Sequence, residues 1–359
     1  MELLVIDFVR QLVLPHFDIP ALDASVSPLG NGHINETFLV RWDSGELVLQ
    51  KINTDVFKTP HGLVENADKI AIHLAHKHEN DEYTLQVVGP LRTQDNQLAL
   101  DLGEQGFWRA INYLPHSHSI EVVTNEDEAF AAAKAFGHFS SALSDLDATV
   151  LEDVIPQFHH LPGRITHLEQ AVAQDKLNRL DGCRDWVELV FSQQSLLQEL
   201  ADTSANLPLR TCHNDTKINN MLYDKRDMSS LAIIDLDTCM KGYLMYDFGD
   251  MVRTFTSPEE EDSKALDNVH VREPIFAAIC RGYLSELGSV LSEDEKKSLW
   301  LGARVICLMI GVRFLTDHLN GDVYFHIHHD NHNLERAANQ FTLYQSLLAQ
   351  EQELIKYFN

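Results

Sequence analysis

The stretch TCHNDTKINNMLYD, residues 211–224, carries His213, Asp215 and Asn220 in the spacing H-x-D-x-x-x-x-N. Phosphoryl transfer to an alcohol needs a carboxylate that accepts the attacking hydroxyl's proton and a nearby oxygen that holds a metal screening the phosphates. Asp215 suits the first role and Asn220 the second. The four residues between them permit a tight loop on which both side chains converge. Three fixed positions in eight also occur by chance, so the flanking sequence has to be weighed.

It continues into LAIIDLDT, residues 231–238, through the turn KRDMSS. A hairpin that sets Asp224 opposite Leu231 pairs Asn220 with Asp235 and puts both on one face, with Asp237 one pleat further on. Oxygen ligands converging beside a base make a hard-cation site, and Mg²⁺ is the cation expected. The bland alternative is that Asp235 and Asp237 only cap the turn into GYLMYDFGD. An apolar strand that delivers two carboxylates inward argues against it, since buried charges need a partner or a metal. Asp247-Phe248-Gly249 spells the protein-kinase DFG, but it lies past the hairpin where a helical pattern starts. There Asp247 reads as an N-cap or, more readily, as a hydrogen-bonding support for the 213–220 loop.

Toward the N-terminus the pattern is β-rich, with strands expected at Glu36 to Trp42, Glu46 to Asn53, Tyr83 to Val88, Gln97 to Leu102 and Phe107 to Leu114. One helix interrupts them at Leu63 to His76, with Leu63, Ile70, Ile72, Leu74 and Ala75 as its apolar face. The turn LGNGHIN before the first strand holds Gly30 and Gly32, which let backbone amides approach phosphate oxygens, although the full G-x-G-x-x-G is absent. Lys51 lies between apolar strand neighbours, within reach of α- and β-phosphates, and Glu65 on the helix is its expected ion-pair partner. Taken singly, Lys51 reads as a solvated strand lysine and Glu65 as a first-turn helix acid. Their order with the glycine turn, the 213–220 loop and Asp235 is what favours the functional reading.

After Pro115 the periods become helical, at Asn125 to Leu143, Arg164 to Gln174, Trp186 to Leu200, Arg272 to Leu287, Ser292 to Leu319 and Leu334 to Tyr357. The class expected is α+β and bilobal, with a nucleotide-binding lobe over 1–114 and a helical lobe over 115–359. With 359 residues and 44% hydrophobic composition, the chain is long enough to bury two cores. Its net charge of −26 repels nucleic acid and anionic membranes, so a phosphate needs a local device. The five cysteines are scattered without CxxC spacing, which fits a reducing compartment rather than a disulfide framework. MELLVIDFVRQLVL is interrupted by Asp7 and Arg10 and reads as an amphipathic helix rather than a signal sequence. A cytoplasmic monomer or dimer is expected.

The chain resembles the aminoglycoside phosphotransferase and choline kinase group of kinase-like enzymes, and more closely the bacterial N-acetylhexosamine 1-kinases. The resemblance spans nearly the whole chain. It rests on GHIN (32–35), LQKIN (49–53), GLVEN (62–66), HNDTKINN (213–220), IDLDT (234–238), DFGD (247–250) and RFLTDHLNGDVYF (313–325). It implies the bilobal protein-kinase-like fold and ATP- and Mg²⁺-dependent phosphorylation of the anomeric hydroxyl of N-acetylglucosamine or N-acetylgalactosamine. On the same ground Asp215 is the base, Asn220 and Asp235 hold the metal, and Lys51 anchors phosphate with Glu65 steadying it. Lys217 would neutralise the transferring group. Asn112 to Leu114 form a hinge that reads adenine, and His33, Asp215, Arg313 and Tyr324 contact the sugar. Without the resemblance, Arg313 reads as a snorkelling helix arginine and Tyr324 as a core tyrosine.

His326, His328, His329 and His332 cluster outside any family pattern, where a transition-metal site competes with a solvated loop. Three other functions are weighed against the sugar kinase. One is a kinase of choline, ethanolamine, homoserine or an aminoglycoside, whose cationic members Arg313 would repel. The others are a non-catalytic nucleotide-binding scaffold and a metal sensor built on the histidines.

Overall fold

The computed structural model describes residues 2–20, 23–30 and 34–358. Its first elements are α1 (Glu2–Phe8), β1 (Ser25–Pro28), β2 (Glu36–Trp42), β3 (Gly45–Ile52), α2 (Pro60–Glu79), β4 (Pro90–Leu91), β5 (Leu100–Asp101), β6 (Phe107–Asn112) and β7 (Ser117–His118). Then come α3 (Glu126–Ala142), α4 (Leu161–Gln174), α5 (Arg184–Phe191), α6 (Gln194–Ser204), β8 (Arg210–Cys212), β9 (Met221–Asp224), β10 (Ser230–Ile233) and β11 (Met240–Gly242). The helices α7 (Leu244–Phe255), α8 (Glu273–Leu287), α9 (Glu293–Asn320), α10 (His332–Ala349) and α11 (Glu351–Leu354) complete the chain. Two compact units result. The first takes Met1–His118, Asp145–Pro156 and Leu222–Lys241, and the second takes Ser119–Ser144, Gln157–Met221 and Gly242–Asn359.

The first unit is built on an antiparallel sheet of order β1-β2-β3-β6-β4, with β5 also pairing β6. Phe38 faces Leu49, Val40 faces Leu47, and Leu49 faces Ala110, so period-two alternation puts all of them on one side. Val9, Val13 and Leu14 from the N-terminal helical segment cover that side, together with Trp108. Each such side chain contributes about 1.5–3 kcal/mol by leaving water. Helix α2 buries Leu63, Ala67, Ile70 and Leu74 at helical spacing. Ile72, expected on that face, is 60% exposed, because it lies off the 63/67/70/74 stripe.

Two expected strands are shorter or missing. Tyr83 to Val88 buries Tyr83, Leu85 and Val88 but forms no ladder, and Gln86 N–H reaches only Leu231 O at 2.8 Å. Of Gln97 to Leu102, only Leu100 and Asp101 pair with β6. The β9–β10 hairpin exists, but its register is not the expected one. Met228 N–H donates to Asp224 O and Asp224 N–H to Ser229 O, so two residues oppose one, and Met228 takes a left-handed φ of 61°. This is a bulge beyond a three-residue loop, and it puts Asp224 opposite Ser229 instead of Leu231. The ladder ends at Ile233, while Asn220 closes a 3₁₀ turn and Asp235 opens another. The Asn220–Asp235 strand pair is therefore replaced by two turns.

In the second unit α9 packs on α7, α10, α4 and α6, and α3 packs on α8. Ser292 and Glu295 form a capping box at the start of α9. The helix is long and apolar enough to cross a membrane by composition, yet 83% of its apolar window is buried inside the protein. The α7–α9 crossing is closest at Gly249 and Gly302, where a Cβ on Gly302 would overlap Met245 O. The helix expected over Trp186 to Leu200 breaks between α5 and α6, where Ser192 and Gln193 side chains take Leu189 O. The organisation is α+β, a sheet unit with one long helix and a mainly helical unit.

Candidate functional site

Asp247 organises the loop that carries the base. It sits in the first turn of α7, whose N-cap is Tyr243, and its carboxylate accepts the N–H of His213 at 2.9 Å and of Asn214 at 2.7 Å. Thr216 Oγ1 donates to Asp247 O at 2.6 Å. The His213 ring is fully buried and meets Phe136 and Phe139 of α3 edge-on, so it anchors the loop by packing. Burial pushes Asp247 up to about 7 despite the two N–H donors, with Asp250 and Asp215 adding repulsion.

Asp215 projects from this loop. Lys217 Nζ lies 3.2 Å from its Oδ2, and Asn220 Nδ2 donates to its main-chain oxygen at 2.8 Å and its Oδ2 at 3.1 Å. Burial alone would raise the carboxyl, but Lys217, His213 and Arg253 outweigh it and hold Asp215 below the usual carboxylate range. It is a carboxylate at neutral pH, able to accept a proton. Arg253 pairs with the buried Asp250 at 2.9 Å and with Glu261 at 2.6 Å.

Arg313 of α9 has the rings of Phe158, Tyr324 and Phe325 at 5.5, 5.8 and 5.3 Å from its guanidinium. It borders a cavity of about 180 Å³ together with Arg164, Asn320 and Tyr324. Tyr324 is 61% exposed, so it is a pocket wall and not a core residue. Asp317 fixes the loop that carries it: Oδ1 accepts Val323 N–H and Tyr324 N–H, and Oδ2 accepts Phe325 N–H and Asn333 Nδ2.

On the first unit, Lys51 stands opposite Glu36, and its ammonium pairs with that carboxylate at 3.4 Å and covers the Trp108 ring at 5.9 Å. Glu65, expected as its partner, is exposed and makes no ion pair among the described residues. The pairing follows from strand register, which brings Glu36 directly across from Lys51. Gly30 has a φ of 73° that favours glycine, with open space where a Cβ would sit. Gly32 and His33 lie outside the described residues. Asn112 ends β6 and exchanges side-chain bonds with Gly89 N–H (2.8 Å) and Val87 O (3.1 Å), and Leu114 O accepts Ser117 Oγ at 2.7 Å.

Asp235 is exposed in a left-handed conformation (φ 62°), whereas Asp237 is buried. Asp237 pairs with the buried Arg109 and accepts Asn35 Nδ2 at 2.7 Å. Arg109 is itself oriented by Gln50 Oε1 at 2.9 and 2.7 Å. This ion pair corrects the expectation that Asp237 joins the metal ligands: its charge is spent inside the first unit. Sequence reasoning also missed Asn66, 1% exposed, which donates to Glu152 O (2.9 Å) and Cys239 O (3.1 Å) and so clamps the 236–239 turn to α2. The only signal was an asparagine on an otherwise apolar helix face.

Amide and carboxylate oxygens are the donors a hard divalent cation takes. In the second unit Asn220 turns its NH₂ toward Asp215, which leaves its amide oxygen for a ligand, and in the first unit the Asp235 side chain is exposed. The histidines form no such set: His329 pairs with Glu335 at 2.6 Å and His332 with Asp262 at 3.2 Å, and no metal-type cluster occurs among the described residues.

The profile of the phosphotransferase enzyme family matches residues 25–286. Among solved structures, the choline kinase of Cryptosporidium parvum superposes with a TM-score of 0.58 at 13% identity, covering 100% of both chains. A microcompartment-associated aminopropanol kinase gives 0.57 at 14% identity, covering 97% of this chain and 98% of its own. An aminoglycoside phosphotransferase with ADP bound gives 0.51 at 14% identity, covering 90% of this chain and 94% of its own. At these identities the likeness is one of fold.

Proposed function

The chain belongs to the phosphotransferase enzyme family and is a small-molecule kinase, and from that premise we propose that it phosphorylates the anomeric hydroxyl of an N-acetylhexosamine with ATP. The product is the sugar 1-phosphate. The observation that carries this reading is the Arg313 guanidinium under Tyr324 and Phe325, which disfavours a cationic acceptor and offers planar donors and a ring to a hydroxylated one.

In this reading Asp215 accepts the hydroxyl proton as the oxygen attacks the γ-phosphorus, and Lys217 offsets charge on the transferring group. Asn220 and Asp235 hold Mg²⁺, which when bound screens the charge on the phosphates. Lys51 and the Gly30–Gly32 turn bind phosphate, Asn112 to Leu114 face the base, and His33, Asp215, Arg313 and Tyr324 contact the sugar. A cytoplasmic site of action fits a soluble sugar and ATP. The test is an ADP-release screen over N-acetylglucosamine, N-acetylgalactosamine, homoserine, choline and kanamycin, with ³¹P NMR of the product. Turnover with amines alone would sink the sugar reading.

A further inference from the structure

Arg164 is the fourth residue of α4 and shares the cavity with Arg313. Its Nη2 donates to Phe158 O at 3.2 Å, while its Nε is buried with no hydrogen-bond partner. Arg313 is surrounded by aromatic rings, which supply a quadrupole and no counter-charge. Neither arginine has a carboxylate within 4 Å among the described residues, and after burial the Arg313 charge further disfavours that of Arg164. The carboxylate on the cavity wall, Asp317, is turned to three main-chain N–H groups and Asn333 and pairs with neither arginine within 4 Å. In a chain of net charge −26 a carboxylate partner was readily available. Two partly buried guanidiniums with no carboxylate beside them are costly unless an anion completes them.

We propose that the Arg164–Arg313 cavity is an oxyanion site, taking a carboxylate, sulfate or phosphate group through planar guanidinium donors. The Arg164 Nε–H and the Arg313 guanidinium, which also bonds the Tyr324 side chain, supply the donors, and Thr316 and Asn320 line the remainder. The site goes beyond the acceptor reading, since a neutral N-acetylhexosamine brings no charge. The anion is either a substituent of the acceptor or a separate inorganic ion.

The experiment has two arms, both on the full chain. Unfolding midpoints are measured in sodium sulfate, sodium phosphate and sodium chloride at matched ionic strength. About 10 mM sulfate or phosphate should raise the midpoint by about 2 °C over chloride. The rise should vanish in Arg164→Gln and persist in Lys297→Gln, an exposed control. Calorimetric titration of sulfate into the wild-type chain gives the same answer should Arg164→Gln fail to fold. The second arm compares KM for N-acetylglucosamine, its 6-sulfate and its 6-phosphate. A KM at least about tenfold lower for the acidic sugars, lost in Arg164→Gln, assigns the anion to the acceptor. Sulfate binding without that preference assigns it to a separate ion. No binding by titration, or an equal rise in Arg164→Gln, overturns the site. Anion binding read by unfolding midpoint or by calorimetry needs no turnover, so the site stands or falls independently of the sugar assignment.

Discussion

Asp247 Oδ1 accepts the main-chain N–H of Asn214 at 2.7 Å, and Asn214 is left-handed at φ 65°. The residue before the base is thus fixed by a carboxylate on α7. In Asp247→Asn one of the two loop N–H groups faces an NH₂ donor. We expect kcat to fall by about 10²-fold through displacement of Asp215, with the unfolding midpoint lowered by no more than a lost buried hydrogen bond of about 1–3 kcal/mol allows. Unchanged kcat would remove Asp247 from the positioning of the loop.

Asp215→Asn removes the proton acceptor and keeps the shape. Turnover should drop by about 10²–10⁴-fold, while ATP affinity, measured by calorimetry, stays within about threefold. A large loss of nucleotide affinity with preserved kcat would reverse the assignment.

Asp237 and Arg109 have side chains only 3% and 4% exposed. Removing one partner leaves a buried charge, so Asp237→Ala or Arg109→Ala should each cost about 3–5 kcal/mol in denaturant unfolding. The double variant Arg109→Met with Asp237→Leu should recover most of that loss. A metal-ligand role for Asp237 predicts the opposite pattern, a weaker Mg²⁺ dependence with stability unchanged.

Lys51 is paired with Glu36 at the surface, with side chains 36% and 54% exposed. Glu36→Gln should change stability by less than about 1 kcal/mol, and Glu65→Gln by no measurable amount. Lys51→Met should raise KM for ATP by about tenfold or more, since the ammonium is the proposed phosphate contact. If Glu65→Gln matches Lys51→Met in KM, the ion pair rearranges when nucleotide binds.

His159 is stacked on Phe158 and meets Tyr246 edge-on. Burial first and the Arg313 charge second push its imidazole down from 6.5 to about 3. Because the folded value lies below the unfolded one, the unfolded chain binds the extra proton between them. The stability contribution is present above pH 6.5 and is lost as pH falls toward 3. His159→Phe should lose less stability than wild type on going from neutral pH down toward pH 4. Parallel curves for the two proteins would show that His159 titrates normally.

Local pattern alone gave the α+β class, the strand Glu36–Trp42, the long helices and the Asp215–Asn220 loop, because side-chain period and short-range spacing fix them. Tertiary packing decided the rest. One bulge at Met228 moved the hairpin register by two residues and turned the expected Asn220–Asp235 strand pair into two separate turns. Strand register chose Glu36 over Glu65 for Lys51, and an arginine 128 positions earlier in the chain claimed Asp237. Asn66 acts through Glu152 and Cys239, partners that no local window contains. The chemistry a residue can do is written in its type and its neighbours, but whether its charge is free to do it depends on what the fold sets against it.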